Sequence, residues 1–353
     1  TGRDFGALQF EASTSQVGNE IVGGAPTGLA GYPITLLTTF QRRLLIGAGA
    51  TLAISETDNY INLFPSTILT IPESDAFKLQ PPDGSSETLR WAVSYEKNLL
   101  IFGDTGQYSI NGEVPLTPLS TSFPTFSKFK DASPTAPVFS GGMVYYARTD
   151  GINTSVYTIQ PGQVSDSPET FGQTDDLLTY INGRPLQFAE ISNPGTVYLR
   201  TSGRPGGMFV LSYVDRPGQG RVQRAWHTYQ FPEGDKLLGV VAKADGLYIY
   251  SYRRVVIASV DTTFIVADVL RPRLIDQYPY LDSHRASLGG SMVSSSAGVS
   301  FAFNGNIGRY IGGAVADYAT VAAAYPLATA PRYGYQFDSL VALTSPYMRN
   351  GKD

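Results

Sequence analysis

The amino-acid sequence predicts an all-β fold, a β-propeller-like meander of antiparallel strands with few short helices. Three observations predict it. Glycine and proline are abundant, at 37 and 23 residues, and 22 tyrosines with 18 phenylalanines supply the aromatic side chains that strands favour. Charged residues make up 16% of the chain, against roughly 25% in an ordinary globular protein. Short apolar or alternating runs recur at a spacing of roughly 8 to 12 residues, punctuated by Gly, Asn, Asp and Pro.

The clearest strands lie in LRWAVSYEKNLLIFGDTGQYSI, residues 89 to 110. Trp91, Val93 and Tyr95 alternate with Ala92, Ser94 and Glu96, as a strand with one buried and one wetter face requires. Lys97-Asn98 turns the chain. Leu99 to Phe102 is continuously apolar and suits a strand covered on both faces, and Tyr108 and Ile110 resume the alternation after the turn at Gly103 to Gly106. A second unit of the same kind runs through Pro137 to Phe139, Met143 to Ala147 and Ser155 to Ile159. A third, longer series comprises Leu186 to Ile191, Thr196 to Arg200, Met208 to Val214, Val222 to Tyr229, Leu237 to Ala242 and Leu247 to Tyr252. Successive hairpins of this sort favour a propeller or related meander over a Greek-key sandwich. Helix is expected only at Thr174 to Ile181, with Asp175 and Asp176 in its first turn, and at Val315 to Ala324.

At 353 residues the chain exceeds the size at which one core stops growing, about 250 to 300 residues. A connecting segment is expected at residues 1–33, a propeller-like body at 34–285 and a second β region at 286–353. The closing Asn350-Gly351-Lys352-Asp353 reads as a turn leading into a further strand. The formal net charge of -4 argues against a dedicated nucleic-acid binder, because affinity for phosphates rests on clustered Lys and Arg. With no cysteine, a disulfide framework or thiolate metal site is excluded. No apolar run reaches the roughly 18 residues a membrane-spanning helix needs.

The triplet Asp104-Thr105-Gly106 raises the possibility of an aspartic protease. Such enzymes need two carboxylates sharing a proton, each on its own loop, and the chain has no second triplet. A tight turn explains the residues instead. With only His227 and His284, imidazole cages are excluded, and GxSxG and Walker phosphate loops are absent. His227 reads as a strand position, Gly47-Ala48-Gly49 as a close strand contact or bulge, and Asn153-Thr154-Ser155 as a polar turn. Ser259 to Phe264 is similar to the Asp box of sialidase blades but lacks its glycine and tryptophan. Asp175 and Asp176 are sequence neighbours and do not face one cleft on a helix, so a helix-dipole role is preferred to a glycosidase pair. The basic groups Arg42-Arg43, Arg253-Arg254 and Arg271-Pro272-Arg273 face carboxylates or a neighbouring subunit, with a DNA-phosphate role as the rival. Trp226 reads as a core anchor of its meander, with exposure at an interface as the rival. No catalytic residue, cofactor or metal is expected.

A series of motifs points further. Arg43-Leu44 on a strand precedes a Ser-containing turn and the patch Asn59, Tyr60, Phe64 and Pro65. Leu100 within Glu96 to Phe102, followed by Asp104, Gln107 and Tyr108, comes next, and then Val144 to Ala147 and the strand bearing Trp226. In this order they resemble the nozzle protein family, also called tail tubular protein B, of short-tailed bacteriophages. Tyr229 stands where that family commonly has a second tryptophan. The resemblance implies a structural virion protein, assembled in the host cytoplasm, that forms the distal tail tube as a closed ring, a hexamer. It would attach below the adaptor, tail tubular protein A, contact tail fibres, and let double-stranded DNA pass through its lumen without specific binding. The rival class is a propeller-type protein at the tail tip that binds or cleaves glycans.

Overall fold

The computed structural model describes residue 29 and residues 31–270, apart from 67–69, 85, 130–133, 162–167, 217–219, 232–233, 245 and 258–259, and the backbone of strands at 282–285, 299–303, 306–310 and 332–335. The described residues are all-β. The predicted helix at Thr174 to Ile181 is instead a run of turns closed by Leu177 N donating to Thr174 O at 2.9 Å and Tyr180 N donating to Leu177 O at 2.9 Å. Its termini are tied to one strand: Thr174 Oγ1 accepts from Val156 N at 2.9 Å, and Ile181 O accepts from Thr154 N at 2.8 Å. Two strand residues that close together are about 7 Å apart, whereas an eight-residue helix would separate its ends by about 10 Å. The tethers thus draw the ends closer than a straight helix of that length sets them, in keeping with the turns observed. Val315 to Ala324 lies outside the described residues.

The chain divides into two compact units, Thr1–Ile249 and Tyr250–Asp353. In the first, consecutive hairpins make four four-stranded antiparallel meanders. One comprises β1 (Ile34–Phe40), β2 (Arg43–Ala48), β3 (Thr51–Ile54) and β4 (Phe77–Leu79). The next comprises β5 (Leu89–Tyr95), β6 (Asn98–Gly103), β7 (Gln107–Ile110) and β8 (Thr125–Ser127), and the third β9 (Val138–Ser140), β10 (Met143–Asp150), β11 (Asn153–Pro161) and β12 (Pro168–Gly172). A fourth comprises β13 (Pro185–Ser192), β14 (Gly195–Thr201), β15 (Gly207–Arg216) and β16 (Gly220–Gln230). A three-stranded sheet follows in the order β17 (Lys236–Lys243), β18 (Gly246–Ile257), β19 (Val260–Leu270), with the division between the units inside β18. In the second unit β20 (Asp282–Arg285), β21 (Val299–Phe303), β22 (Asn306–Tyr310) and β23 (Arg332–Tyr335) form a sheet in the order β20-β23-β21-β22.

The period-two pattern explains how the first unit buries both faces of its central strands. Leu99 and Ile101 of β6 enter one cluster with Leu45, Leu52, Ile54 and Tyr108, while Leu100 and Phe102 enter another with Val144, Tyr146 and Ile159. β10 repeats the device: Val144 and Tyr146 face that second cluster, and Tyr145 and Ala147 face a third with Val197, Phe209 and Leu211. Each inner sheet is thus apolar on both sides.

The first strands of successive meanders also meet, β1 with β5, β5 with β9, β9 with β13 and β13 with β17. Side chains bridge these junctions. Thr35 Oγ1 donates to Leu89 O at 2.6 Å, Tyr95 OH to Gly142 O at 3.2 Å, and Gln187 both donates to Val240 O at 2.6 Å and accepts from Val240 N at 3.1 Å. Close backbone approach is needed at Gly47, where a Cβ would sit 2.8 Å from Leu36 Cβ. The glycine-rich Ile46 to Ala50 segment is therefore a close strand contact, with Gly49 turning at φ 54°.

Candidate functional site

The β1–β2 hairpin turns on Gln41 and Arg42, two residues with φ of 45° and 63°. Left-handed backbone at two consecutive non-glycine residues suits a tight hairpin sterically but is uncommon, and here each side chain fastens a loop. Gln41 Nε2 donates to Gly112 O at 2.8 Å and Val114 O at 3.1 Å, and Gln41 Oε1 accepts from Leu116 N at 2.9 Å. Arg42 Nε donates to Asp58 Oδ1 at 2.5 Å, and Arg42 O accepts from Asp58 N at 2.9 Å. One turn thus holds two loops that lie far apart in sequence.

Arg43, the first residue of β2, completes the device. Its side chain is buried and among the described residues its guanidinium has no salt bridge; Nη1 donates to Ser55 O at 2.6 Å and Asp75 O at 2.8 Å, and Nη2 donates to Glu73 O at 2.7 Å. The guanidinium also lies 5.5 Å from the centre of the Phe77 ring. Burial lowers its pKa, with Glu56 and Asp75 opposing the effect. A planar fork with several donors reaches three carbonyls at once, which the point charge of lysine does not. These carbonyls belong to the two ends of the loop between β3 and β4, residues 55–76. Leu44 supports the same loop through its backbone, donating N–H to Ser55 Oγ at 2.9 Å and accepting from Ser55 N at 2.8 Å.

Asn59, Tyr60, Phe64 and Pro65 all sit on this loop. Asn59 Nδ2 and Asn62 Nδ2 donate to Glu56 Oε2 at 3.0 and 2.8 Å, and Asn62 Oδ1 accepts from Phe64 N at 3.0 Å. Buried Asp75 accepts from Ser66 N at 3.1 Å and Ser66 Oγ at 3.0 Å through Oδ2. The loop is internally bonded and fixed at both ends, yet Tyr60 is 47% and Ile61 81% exposed. The opposite loop, residues 111–124, exposes Val114 at 46% and Leu119 at 74%. A hollow of about 320 Å³ lies between Glu73 of one loop and Val114, Pro115, Thr117, Pro118, Leu119 and Ser120 of the other. Both loops thus present large apolar side chains to solvent from a hydrogen-bonded backbone.

The other motif residues are placed differently. Leu100 is fully buried. Buried Gln107 donates Nε2 to Phe129 O at 3.2 Å, while its Oε1 accepts from Phe129 N at 3.2 Å and from Ser127 Oγ. Asp104 pairs at the surface with Arg90, whose Nη2 donates to Asp104 Oδ2 at 3.0 Å. This hydrogen bond raises the Arg90 pKa, with burial opposing it. Thr105 and Tyr108 turn to Glu87, a buried carboxylate that accepts from Thr105 N at 2.8 Å, Thr105 Oγ1 at 2.6 Å and Tyr108 OH at 3.0 Å. The triplet is a bend locked onto Glu87. A Cβ at Gly103 would approach the Glu87 carboxyl carbon to 2.5 Å, which explains the glycine there.

Trp226 is half-buried against the cluster containing Tyr145, Val197 and Leu211, and stands opposite Leu211 in the β15–β16 pairing. Its indole Nε1 is buried and has no hydrogen-bond partner among the described residues. His227 is half-buried, and loss of hydration lowers its pKa. His284 lies on β20, whose side chains are not described. Among the described residues no group of three or more His, Asp or Glu is placed to hold a metal, and no helix is long and apolar enough to cross a membrane.

Three residues that build these sites were not singled out from sequence. Gln41 and Asp75 carry no local signal, since their partners are distant or backbone. Glu87, an isolated carboxylate shortly before a turn rich in donors, was the one with a legible hint.

The family pattern described as bacteriophage nozzle protein matches residues 5–282. Tail tubular protein gp12 of Escherichia phage T7 is 22% identical over 211 residues, covering 60% of this chain. The chain spans 26% of that relative's length. Among solved structures, the extracellular domain of the one-component system BT4673 of B. thetaiotaomicron superposes with a TM-score of 0.39 at 10% identity, over 68% of this chain and 30% of that one. Apo AztD from Citrobacter koseri gives 0.33 at 11% identity, over 64% of this chain and 68% of that one. These overlaps are too shallow to establish a shared fold. The family match covers most of the chain, and on that match the chain belongs to the bacteriophage nozzle protein family, whose members are structural proteins of the phage tail and not enzymes.

Proposed function

We propose that this chain builds the wall of a phage tail tube by joining copies of itself into a closed ring, a hexamer, through the two loops pinned at the β1–β2 turn. The observation that carries the reading is the exposure of Ile61 and Leu119 on loops whose backbones are bonded in place. Ring symmetry makes the subunit contact heterologous, so this surface meets a different face of the next copy. A surface ordered before contact loses little entropy on assembly.

On this reading the successive meanders act as blades, with β1, β5, β9, β13 and β17 innermost, and the adaptor and tail fibres bind outside the subunit contact. DNA passes through the lumen with little retention, because a chain of net charge -4 offers few phosphate contacts to slow it. Family membership and the rigid two-loop surface support this account.

The test is assembly of the full chain carrying Ile61→Asp and Leu119→Asp. Charges on two exposed side chains leave the subunit's melting temperature unchanged and abolish rings seen by electron microscopy and sedimentation. Rings that persist in the double variant refute the assignment of the contact.

A further inference from the structure

A larger opening lies at one end of the β13–β16 sheet, with a volume of about 710 Å³. That is within the range of small-molecule sites, roughly 300 to 1,000 Å³. Three segments form it, and backbone contacts fix them together. Leu237 N donates to Pro205 O at 2.7 Å and Phe231 N to Gly206 O at 2.8 Å. Gly183 packs so closely on the backbone of Gly203 that a Cβ would lie 2.0 Å from Gly203 N. The opening is therefore preformed.

Its wall combines an aromatic platform with positive charge. Tyr180, 38% exposed, meets Phe209 edge-on with centroids 5.6 Å apart, and the Arg204 guanidinium lies 5.3 Å from the Phe209 centroid. Arg204 and Lys236 both line the opening, and among the described residues neither has a salt-bridge partner. The one carboxylate of the wall, Asp235, is buried. In a chain of net charge -4 this is a local excess of positive charge.

The remaining polar groups decide the ligand class. Asn182 Nδ2 donates to Gly203 O at 3.4 Å and Gln230 Nε2 to Gly206 O at 2.9 Å. Gln230 Nε2 also donates to Phe231 O at 3.3 Å, so both amides turn their donors to the wall and keep their carbonyl oxygens as acceptors. Thr179 and Thr228 add hydroxyls that donate or accept. Neighbouring hydroxyls on a sugar ring offer both donors and acceptors to such a wall, and the apolar C–H face of the ring suits an exposed tyrosine. An acidic peptide strand would need free backbone partners, but the carbonyls of Pro205 and Gly206 are already engaged. A DNA phosphate makes no use of the acceptors.

We propose that this opening binds an acidic saccharide, its carboxylate on Arg204 and Lys236 and one ring face on Tyr180. Burial raises the Tyr180 pKa, with Arg204 opposing it, so the hydroxyl stays protonated at neutral pH and donates. The site makes no use of the ring contact at Ile61 and Leu119, so the two readings fail independently.

The experiment is calorimetric titration of the full chain with a glucuronate-containing tetrasaccharide. Its carboxyl-reduced counterpart, a glutamate-rich peptide and a short DNA duplex are the comparison ligands. Saturable binding of the uronate alone is expected, weakened at least tenfold by Arg204→Gln and by Tyr180→Ala and less by the exposed Lys236→Gln, with ring formation unchanged in all three. No saturable uronate binding, equal binding of the reduced sugar, the peptide or the DNA, or full affinity in Lys236→Gln and Arg204→Gln would each overturn the proposal.

Discussion

Replacing Arg43 with methionine removes the fork that closes the 55–76 loop while keeping most of the side chain's apolar length. The Ser55 and Asp75 carbonyls lose donors in buried hydrogen bonds, whereas the Glu73 carbonyl is only part-buried and regains water. An unmet buried carbonyl costs about 1 to 3 kcal/mol, and relief of the buried charge offsets part of the sum. A net loss of about 3 kcal/mol follows. For a unit of this size such a loss lowers the melting temperature by about 6 to 12 °C. Arg43→Lys recovers less than half of it, because one ammonium does not span three carbonyls. Thermal melts measure the loss, and amide exchange over residues 55–76 localises it to the loop. A melting temperature within about 1 °C of the parent's, with unchanged loop protection, would refute the clamp.

Three further outcomes follow from the same structure. Glu87→Gln turns an amide group toward the hydroxyl and N–H donors of Thr105 and Tyr108 and costs about 1 to 3 kcal/mol in denaturant unfolding, whereas Asp104→Asn breaks an exposed ion pair and costs less than about 1 kcal/mol; a larger loss in Asp104→Asn, or a peptidase activity that it abolishes, contradicts the bend. Trp226→Ala removes a half-buried ring and lowers stability by roughly 2 to 3 kcal/mol, and an unchanged melting temperature with lost rings would move Trp226 to the interface. Because burial lowers the His227 pKa, the unfolded chain binds that proton more tightly, so its contribution is complete above the ordinary histidine range and declines as pH falls through it. His227→Gln should flatten the decline in melting temperature between about pH 7 and 5.5, and an unaltered slope would assign it to other groups.

The strands were legible because their signal is local. Leu99 to Phe102 shows a strand covered on both faces, and its residues do divide between two clusters. Turn chemistry at Asp104 to Gly106 was equally readable. The segment at Thr174 to Ile181 misled because its apolar spacing and leading acids fit a helix, while the tethers that draw its ends together come from Thr154 and Val156, far back in the chain. Arg43 stands out in sequence as half of a basic pair and by family resemblance, yet it meets carbonyls and not the carboxylates expected of that pair. What it holds was not legible, since carbonyls of a distant loop leave no mark in side-chain identity. Gln41 lies beyond any local reading, its partners being 71 to 75 residues away.

The most direct test of the account is an electron micrograph of the assembled phage particle with this subunit located in its tail. The account predicts a closed ring of identical subunits around the DNA path, with Ile61 and Leu119 of each copy against the next. Single copies scattered on the tail surface, or a ring in which both residues face solvent, would contradict it.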